Sequence, residues 1–342
     1  MFILNRADTY CFVATAIGAL LLSPAATGRC AEPAQPATKR VAIIGADTSH
    51  SVAFAKLIND PAATGALARY RVVAVYPGGS DDIPASRDRV GMFTDQLAEM
   101  GVEVVDSPEE AADRADAVLL ESVDGRTHLE LFRRVATGKP VFIDKPATAS
   151  VADFVELMEV AKKTDTRFFS SSPLRFSAKL DALRDTPDLG RVMGAATSTP
   201  YKTEPHHPDL FWYGIHGVEA LYAILGPGCE SVIRQDTADG ALVVGTWRDG
   251  RRGIVWALAT QKPVYSYTIY GERKTVSTHG FHGYDALVES ICEFFDGGEA
   301  PVQPSETLEI LAMMEAADES HRQGGRPVSV QSVIDEAAQR DQ

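Results

Sequence analysis

Cysteine is scarce. Four occur in 342 residues, Cys11, Cys30, Cys229 and Cys292, with no C-x-x-C pair. That excludes a disulfide framework and a cysteine-based zinc site. It leaves Cys229 and Cys292 as small buried apolar side chains. Basic charge is also in deficit: 33 Lys and Arg stand against 47 Asp and Glu, a net charge of −14. Such a surface repels phosphate backbones and anionic lipid, so nucleic acid is not an expected partner. No apolar run is long enough to span a bilayer. The one N-terminal run, Phe12 to Leu22, follows Arg6 without a twin arginine and precedes Ser23-Pro24-Ala25-Ala26. Residues 1–30 therefore read as a signal peptide, and the Ala/Pro/Gln-rich stretch 31–39 as a disordered lead-in. The expectation is an exported protein, periplasmic or extracellular, with no membrane contact after signal cleavage. No internal repeat is found.

Hydrophobic residues make up 45% and charged residues 23%, the balance of a soluble globular protein. The length suits two domains. Val41-Ala42-Ile43-Ile44 is a wholly apolar run ending at Gly45, as a buried parallel strand requires. Asp47-Thr48-Ser49 offers helix caps, and Val52, Phe54, Leu57 and Ile58 follow at helical spacing. Arg71 to Val75 is the next strand. The alternation continues through a capping box at Ser107 and Glu110, a strand from Ala117 to Leu120, and a second capping box at Thr127 and Glu130. A strand from Val141 to Ile143, a cap at Ser150 with Asp153, and a last strand from Arg167 to Ser170 complete it. Residues 40–172 are thus predicted as a Rossmann-like, doubly wound parallel sheet, with ligands beyond the carboxyl ends of its strands.

From Pro173 the pattern changes. A helix runs from His216 to Leu225. Strands are expected over Ala241–Trp247, Gly253–Ala259 and Tyr265–Tyr270, the first two joined by a hairpin turn at Arg248-Asp249-Gly250-Arg251. Helices over Ala286–Phe295 and Glu306–Arg322 close the chain. Residues 173–333 are predicted as an α/β domain with an open, largely antiparallel sheet.

A dinucleotide site wants G-x-G-x-x-G after the first strand, so that backbone can approach a diphosphate at a helix N-terminus. Here the turn is Gly45-Ala46-Asp47-Thr48-Ser49-His50. Asp47 takes the close-approach position, where a carboxylate would crowd and repel a diphosphate. His50 replaces the third glycine. The second strand ends in Val75-Tyr76-Pro77-Gly78-Gly79, with no ribose-binding acid before Asp81. By motif alone this is not an NAD site. A Rossmann scaffold with a repurposed cleft remains the alternative.

Five of the eight histidines lie between His206 and His282. The densest run is His206-His207-Pro208-Asp209-Leu210-Phe211-Trp212-Tyr213-Gly214-Ile215-His216-Gly217-Val218-Glu219. His216 and Glu219, three apart on a helix, share a face that suits proton transfer. A divalent metal is a further option, with His206, His207, His216 and Glu219 as its ligands. Trp212 and Tyr213 are candidates to stack on a sugar ring, or else core residues.

Asp144-Lys145-Pro146 after its strand, preceded by Gly138-Lys139-Pro140, is similar to the G-K-x-V…E-K-P segment of the Gfo/Idh/MocA oxidoreductase family. His128 and Gly214-Ile215-His216 resemble that family's histidine positions. The segments Pro304 to Glu309 and Ala316 to Ser320 are similar to its closing helix. The resemblance spans Val41 to Val330. It implies NAD(P)-linked hydride transfer on a small carbohydrate, sugar or polyol, in a homo-oligomer. It implies catalytic roles for Lys145, which bonds the reacting hydroxyl, and His216, the acid or base. The cofactor cleft would draw on Gly45, Asp47, Thr48, Ser49, His50, Glu121, His128, Asp144 and Lys145; the substrate would meet His206, His207, Trp212, Tyr213 and Glu219. Two departures stand out: the altered glycine turn, and Trp212 where the family has an aspartate four residues before the histidine. They keep open a non-redox carbohydrate lyase, hydratase or binding protein on the same scaffold.

Overall fold

The computed structural model describes residues 38–340, apart from 177, 261, 263 and 264. The expected signal peptide and nearly all of the lead-in lie outside the described residues.

Six short strands build the first sheet: β1 (Lys39–Ile44), β2 (Tyr70–Tyr76), β3 (Glu103–Val104), β4 (Ala117–Leu120), β5 (Val141–Ile143) and β6 (Phe168–Ser170). All pair in parallel, in the order β3-β2-β1-β4-β5-β6. The helices between them are α1 (Ser49–Ile58), α2 (Pro84–Arg87), α3 (Val90–Glu99), α4 (Pro108–Asp113), α5 (His128–Val135) and α6 (Val151–Thr164). Strands β4 and β5 are buried at every position, which is why they read as unbroken apolar runs. The strand order reverses between β1 and β4, and a crevice opens there at the carboxyl ends.

The chain then runs through α7 (Ala178–Arg184), β7 (Val192–Pro200), α8 (Asp209–Trp212), α9 (Ile215–Leu225), β8 (Cys229–Thr237), β9 (Gly240–Trp247), β10 (Arg252–Leu258), β11 (Ser266–Gly271) and β12 (Thr275–His279). It ends in α10 (Asp285–Phe295), α11 (Pro304–Arg322), β13 (Val328–Ser329) and α12 (Val330–Arg340). The second sheet has the order β12-β11-β7-β10-β9-β8-β13. Only the β7–β10 pairing is parallel. One face packs on α9 and α11 through Val243, Val255, Trp247 and Ile269; Met193, Trp256 and Tyr270 stand exposed on the sheet. Both predicted sheets are therefore present. Cys229 and Cys292 are free and buried.

Thr127 does not cap α5 as expected: its backbone is already helical and its side chain bonds Asp124 O instead. The capping residue is Asp124, which accepts from Arg126 N at 3.0 Å and opens a short 3₁₀ turn leading into α5. Thr127 lies inside this longer helical segment, so its hydroxyl has no free N-terminal N–H to bind.

Candidate active site

Gly45 ends β1 with φ +97°, and a Cβ there would sit 2.5 Å from Ser122 N. The turn is thus pressed against the loop leaving β4, and only glycine fits. Thr48 caps α1, its hydroxyl taking a long bond from His50 N at 3.4 Å. Asp47, wholly buried, points its carboxylate sideways: Oδ1 accepts from Val123 N at 2.9 Å and Oδ2 from Ser86 Oγ at 2.6 Å. Burial raises its pKa despite these donors.

His50 turns inward. Its Nδ1 lies 2.7 Å from Asp144 Oδ2, and its ring stacks on Phe54. Asp144 also accepts from Lys145 N at 2.8 Å. Burial works against its ionisation, yet the charges of His50 and Lys145 hold it below the usual carboxylate range. Beside it sits Glu121, fully buried, with neither carboxylate oxygen partnered. Burial, then the charge of Asp144, pushes Glu121 well above the normal range.

Lys145 and His216 face one cavity of about 300 Å³, shared with His50, Trp212, Tyr213 and Lys202. It adjoins Thr48 and Ser49 at the N-terminus of α1. Lys145 Nζ stands 5.6 Å from the centre of the Tyr213 ring. His216 Nδ1 is 2.8 Å from Ser172 Oγ, just past β6. Burial, reinforced by the positive charges of Lys145 and His50, depresses its pKa well below the ordinary value. It is a neutral imidazole with one nitrogen engaged and Nε2 left to exchange a proton. Ser172, which orients it, carried no motif; only the packing of the 173–176 turn after β6 against α9 reveals it.

Several predicted site residues are placed elsewhere. His128 is a buried strut: Nε2 faces Ser122 O at 2.7 Å and Nδ1 faces Pro146 O at 2.9 Å, tying the loops after β4 and β5 together. Glu219 is committed to Arg175 (2.8 Å), which also holds Glu306 (2.5 Å); it is not among the residues that line the cavity of Lys145 and His216. His206 is exposed beside Glu204. His207 packs on Trp212 with its Nε2 buried and unpartnered, and burial lowers its pKa to about 4. The four proposed metal ligands are thus engaged separately. Among the described residues, the histidine–carboxylate cluster with metal-like spacing is instead His50, Glu121 and Asp144.

A second cavity, of about 350 Å³, opens past β2, lined by Asp47, Tyr76, Gly78, Gly79, Ser122 and Arg126 among others. The two cavities flank the Gly45–Ser49 turn. Larger grooves of about 510 and 720 Å³ hold none of the candidate site residues.

A parallel sheet in this order, with a tight glycine turn and a paired cleft at its reversal point, defines a Rossmann-type nucleotide-binding scaffold. Residues 39–172 match the GFO_IDH_MocA family, described as an oxidoreductase family with an NAD-binding Rossmann fold. Among curated proteins no match is found. Solved structures align over nearly the whole fold. GenD2 from gentamicin A biosynthesis, in complex with NAD, is 19% identical with a TM-score of 0.69, covering 86% of this chain and 96% of its own. Scyllo-inositol dehydrogenase from Lactobacillus casei, with NAD(H) and scyllo-inositol, is 13% identical (TM-score 0.68; 86% and 99%). Myo-inositol dehydrogenase from the same organism, with NAD(H) and myo-inositol, is 16% identical (0.66; 85% and 96%). At these identities the likeness is one of fold.

Proposed function

We propose that the protein is an exported oxidoreductase that moves a hydride between a nicotinamide dinucleotide and a carbinol carbon of a sugar or polyol. The observation that carries this reading is the convergence of Lys145 and neutral His216 on one cavity beside the α1 N-terminus. The residues fit a dinucleotide. Two cavities flank a turn that admits only glycine at position 45. Asp47 is the exception, and its burial makes the neutral carboxyl easier to reach, which reduces repulsion of a diphosphate. Gly45, Thr48, Ser49 and the past-β2 cavity would hold the dinucleotide, which supplies a hydride acceptor when bound.

The chain's own residues do the rest. His216, its Nδ1 engaged with the Ser172 hydroxyl, takes the hydroxyl proton at Nε2, which requires the tautomer that carries its hydrogen on Nδ1. The Lys145 ammonium stabilises the alkoxide as the carbinol hydrogen leaves and the carbonyl forms. Trp212 and Tyr213 offer flat apolar surface to the ring of the substrate.

The bonds from Val123 and Ser86 that fix Asp47 at the phosphate seat favour a second reading. On it, Lys145 and His216 act as acid and base on an already oxidised sugar, as a lyase or hydratase. One experiment separates the two. The protein beginning at Ala31 is denatured and assayed for released nicotinamide, and intact protein is titrated with NAD(H) and NADP(H). Binding, with turnover of a polyol that falls by about 10²–10³ in Lys145→Met, supports the oxidoreductase. No binding at millimolar dinucleotide sinks it in favour of the second.

A further inference from the structure

We propose that this pocket selects a substrate bearing a carboxylate: a sugar acid or polyol acid, held at the cavity mouth by Lys202 and Arg89. The proposal rests on the foregoing reading only in taking this cavity as the substrate site.

The charge of the lining is the argument. In a chain with 14 more acidic than basic residues, this cavity has three permanent cations, Arg89, Lys145 and Lys202, and no carboxylate among its lining residues. Among the described residues these cations form no ion pair with a carboxylate. Arginines elsewhere in the fold are neutralised: Arg126 by Asp82 and Asp124, Arg175 by Glu219 and Glu306, Arg234 by Asp209, Asp236 and Asp318. Among the described residues Lys202 lies over the Tyr213 ring, with Nζ 4.9 Å from its centre, and Arg89 bonds the carbonyl of Ala85 and lies over the Phe93 ring. Asp144, next in sequence to Lys145, is buried and is held by His50 and the Lys145 amide.

The cations are also graded in depth. Lys145 is buried at the floor, whereas Lys202 is exposed and Arg89 half-buried. Lys145 and Lys202 flank the same aromatic ring. A ligand lying on Tyr213 can thus meet one ammonium at its reacting hydroxyl and another at its acid end. Cations clustered in a low-dielectric concavity attract an anion far more strongly than the same charges on open surface. A cavity of about 300 Å³ has room for one small ligand rather than an oligosaccharide.

The dinucleotide phosphate is the other anion that could answer to these cations, and the test separates the two. Calorimetric titrations compare glucuronate with glucose, and gluconate with glucitol, with and without NAD(H), at low and high salt. The expected result is a preference for each acid of about tenfold or more, weakened by salt. The preference collapses in Lys202→Met and returns in Lys202→Arg. Lys202 is exposed, so these variants fold. Equal affinity for acid and neutral partners, or no binding of either, overturns the proposal. So does a Lys202→Met protein that loses affinity for NAD(P)H but not for the acids. Acid preference without any dinucleotide binding would leave this proposal standing and remove the redox reading; dinucleotide binding without acid preference would do the reverse.

Discussion

At the scale of single residues, burial rather than sequence position decides what each titratable group can do. His216 has its pKa driven down by burial and by two positive neighbours. A depressed histidine contributes stability that is present above pH 6.5 and lost as pH falls through the folded value. It should therefore remain a competent base well below pH 6.5. A pH profile of kcat/KM that stays level from pH 8 to below 6, then falls, is the expected result; an acid limb centred at 6.5 would contradict it. Glu121 runs the opposite way. Its pKa is raised, so its contribution is complete below about pH 4.5 and declines as pH rises toward the folded value. Glu121→Gln keeps the shape and removes the charge. It should match the parent near pH 4.5 and exceed it in Tm at pH 8. Thermal melts of both proteins across that range decide the matter, and a lower Tm for the variant at pH 8 would mean that the buried carboxylate has a partner essential to the fold.

At the scale of elements, the apolar runs were legible and the polar ones were not. Strands β2, β4, β5 and β6 match their expected bounds within a residue at each end, and β1 starts two residues earlier, at the exposed Lys39 and Arg40, because buried parallel strands cannot hide their composition. Ser107 and Ser150 cap α4 and α6 as their spacing demands. Strand β7 went unnoticed: Val192–Pro200 is made largely of Gly, Ala, Ser and Thr, small residues that let α9 approach, with Thr197 bonding Gly217 O at 2.9 Å. Strand β8 does not read as a strand because charge interrupts it, including Arg234, whose burial is supported by Asp236 on the same strand and by Asp209 and Asp318 from distant segments. Of the candidate site, Lys145, His216, Trp212, Tyr213 and the turn from Thr48 to His50 do share one cavity. Glu219 could not be judged from its helix, since its partner Arg175 lies 44 residues away. Removing that partner strands two carboxylates. Arg175→Met should lose about 3–5 kcal/mol by urea denaturation, with Arg175→Met/Glu219→Gln recovering part of it. At the other end of the fold, Gly45→Ala must hold φ +97° with its Cβ against Ser122. A loss of about 1–3 kcal/mol and weakened dinucleotide binding are expected, read by melting and fluorescence titration.

At the scale of the whole molecule, the second sheet has a helix-covered face and an uncovered one. Along β10 and β11 the uncovered face carries Trp256 and Tyr270 exposed, with Ile254 half-buried beside Trp256 on the same strand. Leu242 and Val244 continue it on β9, paired with Trp256 and Ile254 in register. An apolar strip this broad, in a chain of such high net charge, is what a self-associating surface requires. The homo-oligomer expected from the family resemblance would use it. Its strand edges are not needed, because two such faces can stack as sheets do in a sandwich. Trp256 is 50% exposed, so Trp256→Glu adds a charge to the strip without cutting into the core. Light scattering should then show an assembly reduced to monomers, with the active-site cavity and dinucleotide affinity intact. A parent protein that is already monomeric at micromolar concentration would remove this face from consideration and leave its tryptophan unexplained.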